Sequence, residues 1–485
     1  MSTHKAIVFS FLDRYASLVL TIVSSMIIAR LLTPGEIGVF SVTMVLLAFL
    51  GTVRDLGAGE YLVQEKELTE QRIKAVWAVQ LGLGFALGVI ILLAAYPVAS
   101  FYNEPRMKDI MLIIAANYVI NPFGSLTYAY LIREMRFDSI ALIRFSGNLV
   151  GAQVYIALAW LGYGPISLAI GMFASTLVSA ATSIYFRPSF FPWLPGVAEI
   201  GRVLSFGSKL TSSSVMNVLG ANIPELVLGK LQGMVAAGLY SRSSGLVSMF
   251  NRLITDPIMS VAMSWFSKQR REQGGFSESF LKATSYISAL GWSFFLTLIL
   301  LAHPVTRVLY GTQWDASVDL TRILAIGYFF AVPVALSAVA LIASGEATRV
   351  LTATTVSTVV TVILAATGAQ FGQNMLAWAM TLSALVSAFV WIRMVKRAVK
   401  FGWLDLFKVM FRSALVAVMA GLGPLSTFLV FGATPPNSFV VLVIGAIGCA
   451  VGFLLGVIVV RHPLKEELVP LWAKFRSRLN SGQSV

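Results

Sequence analysis

The stretch "ARLLTPGEIGVFS" (Ala29–Ser41) interrupts a long apolar run with a cation, a Pro-Gly pair, an acid and a further glycine. Pro34 and Gly35 end one helix, Glu36 opens the next, and Gly38 lets the two lie close. Apolar runs of about twenty residues lie on both sides of this elbow, and each is long enough to cross a bilayer as a helix. It therefore reads as a tight turn between two membrane spans, on the side away from the cytoplasm.

The rest of the 485-residue chain repeats that pattern. It is 57% hydrophobic and 12% charged, with a mean hydropathy of +0.81, whereas soluble domains carry roughly twice that charged fraction. Fourteen spans can be marked, the first near 6–32 and the last near 438–460. The expected class is an all-α integral membrane protein, and no stretch is long enough for a soluble domain. Asp13 and Arg14 interrupt the first run and no small-residue cleavage site follows it, so it reads as a spanning helix and not a signal peptide.

A net charge of +14 raises the prospect of nucleic-acid binding. The 36 Lys and Arg residues fall mostly on alternate connecting segments, however, with Arg393, Lys396, Arg397 and Lys400 forming one basic run. That is the positive-inside pattern, which places both termini in the cytoplasm and needs no nucleic acid. The basic segments also suit anionic lipid headgroups. Cys449 is the only cysteine, so no intramolecular disulfide is expected.

Several chemistries lack their residues. "LGKLQG" near Lys230 has neither the spacing nor the hydroxyl of a phosphate-binding loop. His4, His303 and His462 are scattered, so neither metal nor cofactor is expected. "LGLGFALG" (81–88) lies inside an apolar span, where Gly84 and Gly88 serve close helix packing, as do Gly448, Gly452 and Gly456 in the last span. A membrane-embedded polymerase or ligase would call for a large external loop with catalytic side chains. The longest here is about 302–319, where Asp315 and Asp319 read as a solvated face or a helix cap. No catalytic residue is assigned.

A shift of 200 residues lays "GKLQGMVAAGLYS" (229–241) over the opening stretch. It matches Leu31 with Leu231, Gly38 with Gly238 and Ser41 with Ser241, and it pairs Arg30 with Lys230 and Phe40 with Tyr240. Long charged segments follow at 54–74 and 256–275. The expected organisation is a six-helix lobe over 1–200, a second over 201–400, and two further helices with a tail over 401–485. Parallel repeats of this kind enclose a central cavity in transporters.

"LLTPGEIGVFSVTMVLLAFLGTVRDLGAGEYLVQEKELTEQRIKAVW" (31–77) carries a recognisable order: Leu32, Thr33, Pro34, Glu36, Ile37 and Gly38, then Asp55, Leu56 and Gly57, then Leu62 to Thr69. With "FYNEPRMKDIMLIIA" (101–115), "LIREMRFDSIALI" (131–143) and "GLYSRSSGLVSMFNRLITDPIMSV" (238–261), it resembles the Wzx-type polysaccharide flippases. These belong to the superfamily of multidrug, oligosaccharidyl-lipid and polysaccharide exporters. The likeness is strongest to the exopolysaccharide and colanic-acid branch. Glu60 departs from it, standing where a small residue is expected, as does "AMSWFSK" (262–268).

The resemblance implies two six-helix lobes around a V-shaped cavity that opens alternately to each side of a bacterial inner membrane. The cargo it implies is an oligosaccharide repeat unit on undecaprenyl diphosphate, moved outward for exopolysaccharide, capsule or O-antigen synthesis. A polymerase and a chain-length regulator are the implied protein partners. A multidrug exporter of organic cations and a lipid-II-type flippase are the alternatives within the superfamily.

Such a cargo asks for cations near its diphosphate and hydrogen-bonding groups near its sugars. A charge at mid-bilayer costs at least about 2.5–3.5 kcal/mol, so each one needs a reason. Arg14 heads a polar stripe with Ser17 and Thr21, although it could also reach the cytoplasmic interface. Arg242 lacks an acid four residues away, and its alternatives are buried partners such as Asp13 or Glu225. Lys209 and Arg144 complete the expected cationic set, again with the interface as alternative. Arg252 and Asp256 are spaced for a local ion pair.

Asn117, Asn121, Ser125 and Tyr128 share a helix face, and Asn117, Asn121 and Tyr128 are the candidate sugar contacts. The same face would equally serve interhelical hydrogen bonding. Asp13 and Asp256 are the candidate coupling acids. The excess of cations speaks against organic-cation substrates, which call for carboxylates.

Overall fold

The computed structural model describes the backbone of residues 3–55, 57–271 and 275–467, with side chains from Tyr15 onward except 53, 55, 206–217 and 219. The chain divides into two compact units, Met1–Gly238 and Leu239–Val485. That division falls inside a helix. Among the described residues there is no strand.

The first unit contains α1 (Thr3–Leu31), α2 (Pro34–Asp55), the short α3 (Ala58–Gln64), α4 (Glu70–Tyr102), α5 (Arg106–Ile120), α6 (Pro122–Arg133), α7 (Phe137–Trp160), α8 (Ile166–Tyr185) and α9 (Ile200–Leu231). The α1–α2 elbow is a reciprocal capping box. The Thr33 N–H donates to Glu36 Oε2 at 2.8 Å, and the Glu36 N–H donates to Thr33 Oγ1 at 3.3 Å. Pro34 occupies the first turn, where its missing N–H costs nothing.

Helices α5 and α6 form one span bent by 51°. Pro122 cannot donate to the Tyr118 carbonyl, and its ring pushes that carbonyl aside. Gly84 of α4 accommodates the bend, since a Cβ there would lie 2.6 Å from the Tyr118 oxygen and 2.8 Å from the Pro122 ring. Helices α7 and α8 approach through Gly147, Gly151 and Gly171. A Cβ on Gly151 would sit 2.8 Å from Ser175 Cβ and 2.9 Å from the Gly171 oxygen. Small residues four apart let backbones meet and gain dispersion contact where lipid offers no hydrophobic drive.

The second unit begins within α10 (Met234–Phe250) and continues through α11 (Asp256–Arg271), α12 (Phe276–Leu300), α13 (Ala302–Tyr310), α14 (Val318–Ala331), α15 (Ser337–Ala343), α16 (Ala347–Gly368), α17 (Gln373–Val399), α18 (Trp403–Phe431) and α19 (Ser438–Val459). Between α10 and α11 the chain takes a π-helical turn, Asn251–Thr255, closed by the Asp256 N–H on the Asn251 carbonyl. Pro257 accounts for it, because an ordinary turn there would need the N–H that proline lacks. The segment after it, expected as a charged loop, is the helix α11.

Helices α18 and α19 meet at Gly423 and Gly448, where a Cβ on Gly448 would lie 2.8 Å from the Gly423 Cα. Asp315 and Asp319 do not form a pair of acids. Arg307 holds Asp315 at 2.6 Å, and Arg322 holds Asp319 at 3.2 Å.

Among the described residues ten helices are long and apolar enough to cross a membrane, eleven if the bent pair counts as one span. Fourteen is not reached. The described apolar part of α1 is Tyr15–Leu31, α10 has 17 residues, and much of α9 lies outside the described side chains. The protein is nonetheless a multi-pass membrane protein.

Candidate functional site

The bend at Pro122 and the glycine seam between α7 and α8 leave a cavity of about 600 Å³ inside the first unit. Arg54 at the end of α2 and Glu60 of α3 line it, with Gln80 of α4, Asn121 and Ser125 at the bend, Tyr128 of α6 and Arg144 of α7. Ser175, Thr176, Ser179 and Ser183 of α8 complete the wall.

Arg54 and Gln80 have local supports. The Arg54 guanidinium lies 5.4 Å from the ring centre of Tyr118, whose hydroxyl is tied to the Leu47 carbonyl at 2.9 Å. A cation at a helix C-terminus also meets the negative end of the helix dipole. Ser125 Oγ donates to Gln80 Oε1 at 3.1 Å, which orients the Gln80 amide and leaves its NH2 to donate. On the α8 side of the wall, Ser179 Oγ donates to the Ile143 carbonyl of α7 at 3.5 Å.

The short helix α3 is clamped from outside. Arg133 at the end of α6 donates to the Leu62 carbonyl at 2.9 Å and the Lys66 carbonyl at 3.1 Å, and also to the Glu65 carbonyl. It thereby satisfies carbonyls left open at the α3 C-terminus. Glu65 and Glu199 share Arg72 and Arg202 across 3.1–3.9 Å. The Tyr61 hydroxyl bond, then Arg202 and Arg72, hold the Glu65 carboxyl below its usual range against the opposing effect of burial. Glu65 thus remains charged at neutral pH and keeps α3 in place.

The structure brings together Arg144, Asn121, Tyr128 and Ser125 from the expected set. Asn117 is not on the cavity wall. It is buried at 7% exposure, and its Oδ1 has no hydrogen-bond partner among the described residues. Arg242 belongs to the second unit, with its guanidinium 5.5 Å from the ring centre of Tyr310 and 5.7 Å from that of Trp314. Asp256 opens α11 and lines a separate cavity of about 270 Å³ with Asn251, Thr255 and Tyr328. Asp13, Arg14 and Lys209 lie outside the described side chains. Glu225 is buried at 8% exposure and accepts a hydrogen bond from Ser41 Oγ.

Sequence reasoning missed Arg54, Glu60, Gln80 and the α8 hydroxyls. The α8 stripe carried a signal, since Ser175, Ser179 and Ser183 recur every fourth residue. Arg54 carried none, because it lies just beyond the expected end of its span and resembles an ordinary interfacial cation.

The sequence profile of the family described as "Polysaccharide biosynthesis protein" matches residues 27–319. The lipopolysaccharide biosynthesis protein WzxC of Escherichia coli (strain K12) is 22% identical over 309 residues, 63% of each chain. The succinoglycan biosynthesis transport protein ExoT of Rhizobium meliloti (strain 1021) is 26% identical over 321 residues, 65% of this chain and 64% of that one. The chain thus spans somewhat under two thirds of the length of these relatives. Among solved structures, the lipid II flippase MurJ in an inward closed conformation aligns over 96% of this chain and 100% of its own. Its TM-score is 0.77 at 14% identity. An inward-facing multidrug resistance MATE family transporter aligns over 80% of this chain and 98% of its own, with a TM-score of 0.64. The fold is the one these transporters share.

Proposed function

Because the chain belongs to the polysaccharide biosynthesis protein family, we propose that it is a flippase for lipid-linked oligosaccharides and not an enzyme. It moves a saccharide carried on a polyprenyl diphosphate from the cytoplasmic to the opposite leaflet of a bacterial inner membrane. The carrying observation is the cavity of the first unit, where Arg54 and Arg144 stand on a wall of amide, phenol and hydroxyl groups. Guanidinium groups suit phosphate oxygens, and neutral donors and acceptors suit sugar hydroxyls.

In this reading Arg54 and Arg144 take the diphosphate, with Arg14, Lys209 and Arg242 as further cations along its route. Asn121, Tyr128, Gln80 and the α8 hydroxyls take the sugars, and the polyprenyl tail stays in lipid. Asp13 and Asp256 are the candidate coupling acids. Two six-helix lobes would expose the cavity to each side in turn, with both termini in the cytoplasm. A polymerase and a chain-length regulator would receive the exported unit. Two guanidinium groups against one carboxylate disfavour an organic cation as cargo.

The test is translocation of a fluorescent polyprenyl-diphosphate oligosaccharide in proteoliposomes. Transfer by the wild type, lost in an R54Q/R144Q variant that still inserts, is the expected result. Undiminished transfer by that variant would remove the cavity from the mechanism.

A further inference from the structure

Glu60 is the anomalous group in the cavity. It is an exposed side chain on α3 and lines the same space as Arg54 and Arg144. Among the described residues it forms no ion pair, whereas Glu65, one turn and a residue further on, is held by Arg72 and Arg202. A wall that served only a diphosphate would gain nothing from a carboxylate, which repels phosphate. A wall with both signs fits a ligand that is anionic at one end and rich in hydrogen-bond donors, without negative charge, at the other.

We propose that Glu60 determines which sugar enters. Its carboxylate accepts hydrogen bonds from the hydroxyls of an uncharged sugar, or from the ammonium of an amino sugar, next to the diphosphate. It excludes a uronate or other acidic sugar from that position. The inference rests on the reading that this cavity takes a diphosphate-linked saccharide. A carboxylate acceptor forms the stronger, charge-assisted class of hydrogen bond with a hydroxyl. Two carboxylates in one cavity repel, and specificity follows from that repulsion as much as from the new bond.

The experiment is equilibrium binding to the purified full chain of three short-chain polyprenyl diphosphates: one bare, one bearing glucose and one bearing glucuronate. The wild type should prefer the glucose probe over the glucuronate probe by about tenfold, the ratio that a difference of roughly 1.4 kcal/mol produces. E60Q should reduce that ratio to about threefold or less while binding the bare diphosphate as well as or better than the wild type. E60D should retain the preference. Equal binding of the two sugar probes by the wild type, or an unchanged ratio in E60Q, would overturn the assignment of Glu60 alone. Failure of all three probes to bind would overturn the reading of the cavity and the proposal with it.

Discussion

Gly38 of α2 and Gly238 of α10 meet backbone to backbone. A Cβ on Gly38 would overlap the Met234 carbonyl and come within 2.9 Å of the Gly238 nitrogen, and a Cβ on Gly238 would overlap the Pro34 carbonyl. These are the two glycines that the 200-residue repeat places in register. Two glycines 200 residues apart thus supply the two sides of one helix crossing.

Gly38→Ala and Gly238→Ala should therefore each destabilise the protein, by about 1–3 kcal/mol as overpacked contacts do. The check is the thermal transition of the purified protein in detergent. Gly245→Ala on the same α10 is the comparison, because a Cβ there meets nothing within 4 Å among the described residues. It should leave the transition unchanged or raise it slightly, alanine being the better helix former. Equal losses from all three variants would show that the effect is helix-wide and not the crossing.

The elbow sequence makes a second, milder prediction. Thr33→Ala removes the hydroxyl that accepts the Glu36 N–H, so it should cost about 1 kcal/mol, as N-cap losses do. Binding of a polyprenyl diphosphate should not change, since neither Thr33 nor Glu36 lines the cavity. Thermal melting and equilibrium binding on the same preparation separate the two effects.

How much of this was legible follows from particular residues. Pro34 and Gly38 are punctuation whose effect is local, so the elbow could be read from spacing. Pro122 could be read as a bend for the same reason. Pro257 signals the π turn, whereas the charges of the segment after it mask the amphipathic pattern of α11. The cavity was only half visible. Asn121, Tyr128 and Arg144 share it, but Asn117, on the same nominal face, is buried instead, because the 51° bend breaks that face between them. Arg54 and Glu60 reach the cavity through tertiary packing of α2 and α3, which periodicity does not encode.

Acidity should loosen the second unit through His462. Its ring is 1% exposed. It accepts the Leu464 N–H at Nδ1 across 3.2 Å, so its proton sits on Nε2, facing Ser285 Oγ at 2.7 Å and Ser413 Oγ at 3.1 Å. Burial first, and then the Arg412 charge, depress its pKa to about 4. The unfolded chain takes a proton near pH 6.5 and the folded chain does not. Stability is therefore complete above about pH 6.5 and falls as pH drops towards 4, by up to about 3 kcal/mol. Melting curves from pH 7.5 to 4.5 should show this slope, and His462→Gln should flatten it while lowering the transition at neutral pH.

Arg54 and Arg144 should each matter to diphosphate affinity. A hydrogen bond to a charged group is worth about 1.5–3 kcal/mol, so R54Q or R144Q should weaken binding of a bare polyprenyl diphosphate roughly ten- to a hundredfold. The loss should shrink at high salt as the charges are screened. Titration at two ionic strengths checks both parts, and R202Q, in the ion-pair network with Glu65 and Glu199 outside the cavity, should affect melting more than binding.

The most direct measurement is photo-crosslinking of the cargo to its site. A photoreactive side chain at Ser179, on the cavity wall, should label a polyprenyl-diphosphate oligosaccharide through its saccharide, and excess unlabelled cargo should suppress the product. The same side chain at Ile363, 56% exposed on α16, should give little. Labelling that is absent from Ser179, or no stronger there than at Ile363, would contradict the placement of the headgroup in the first unit.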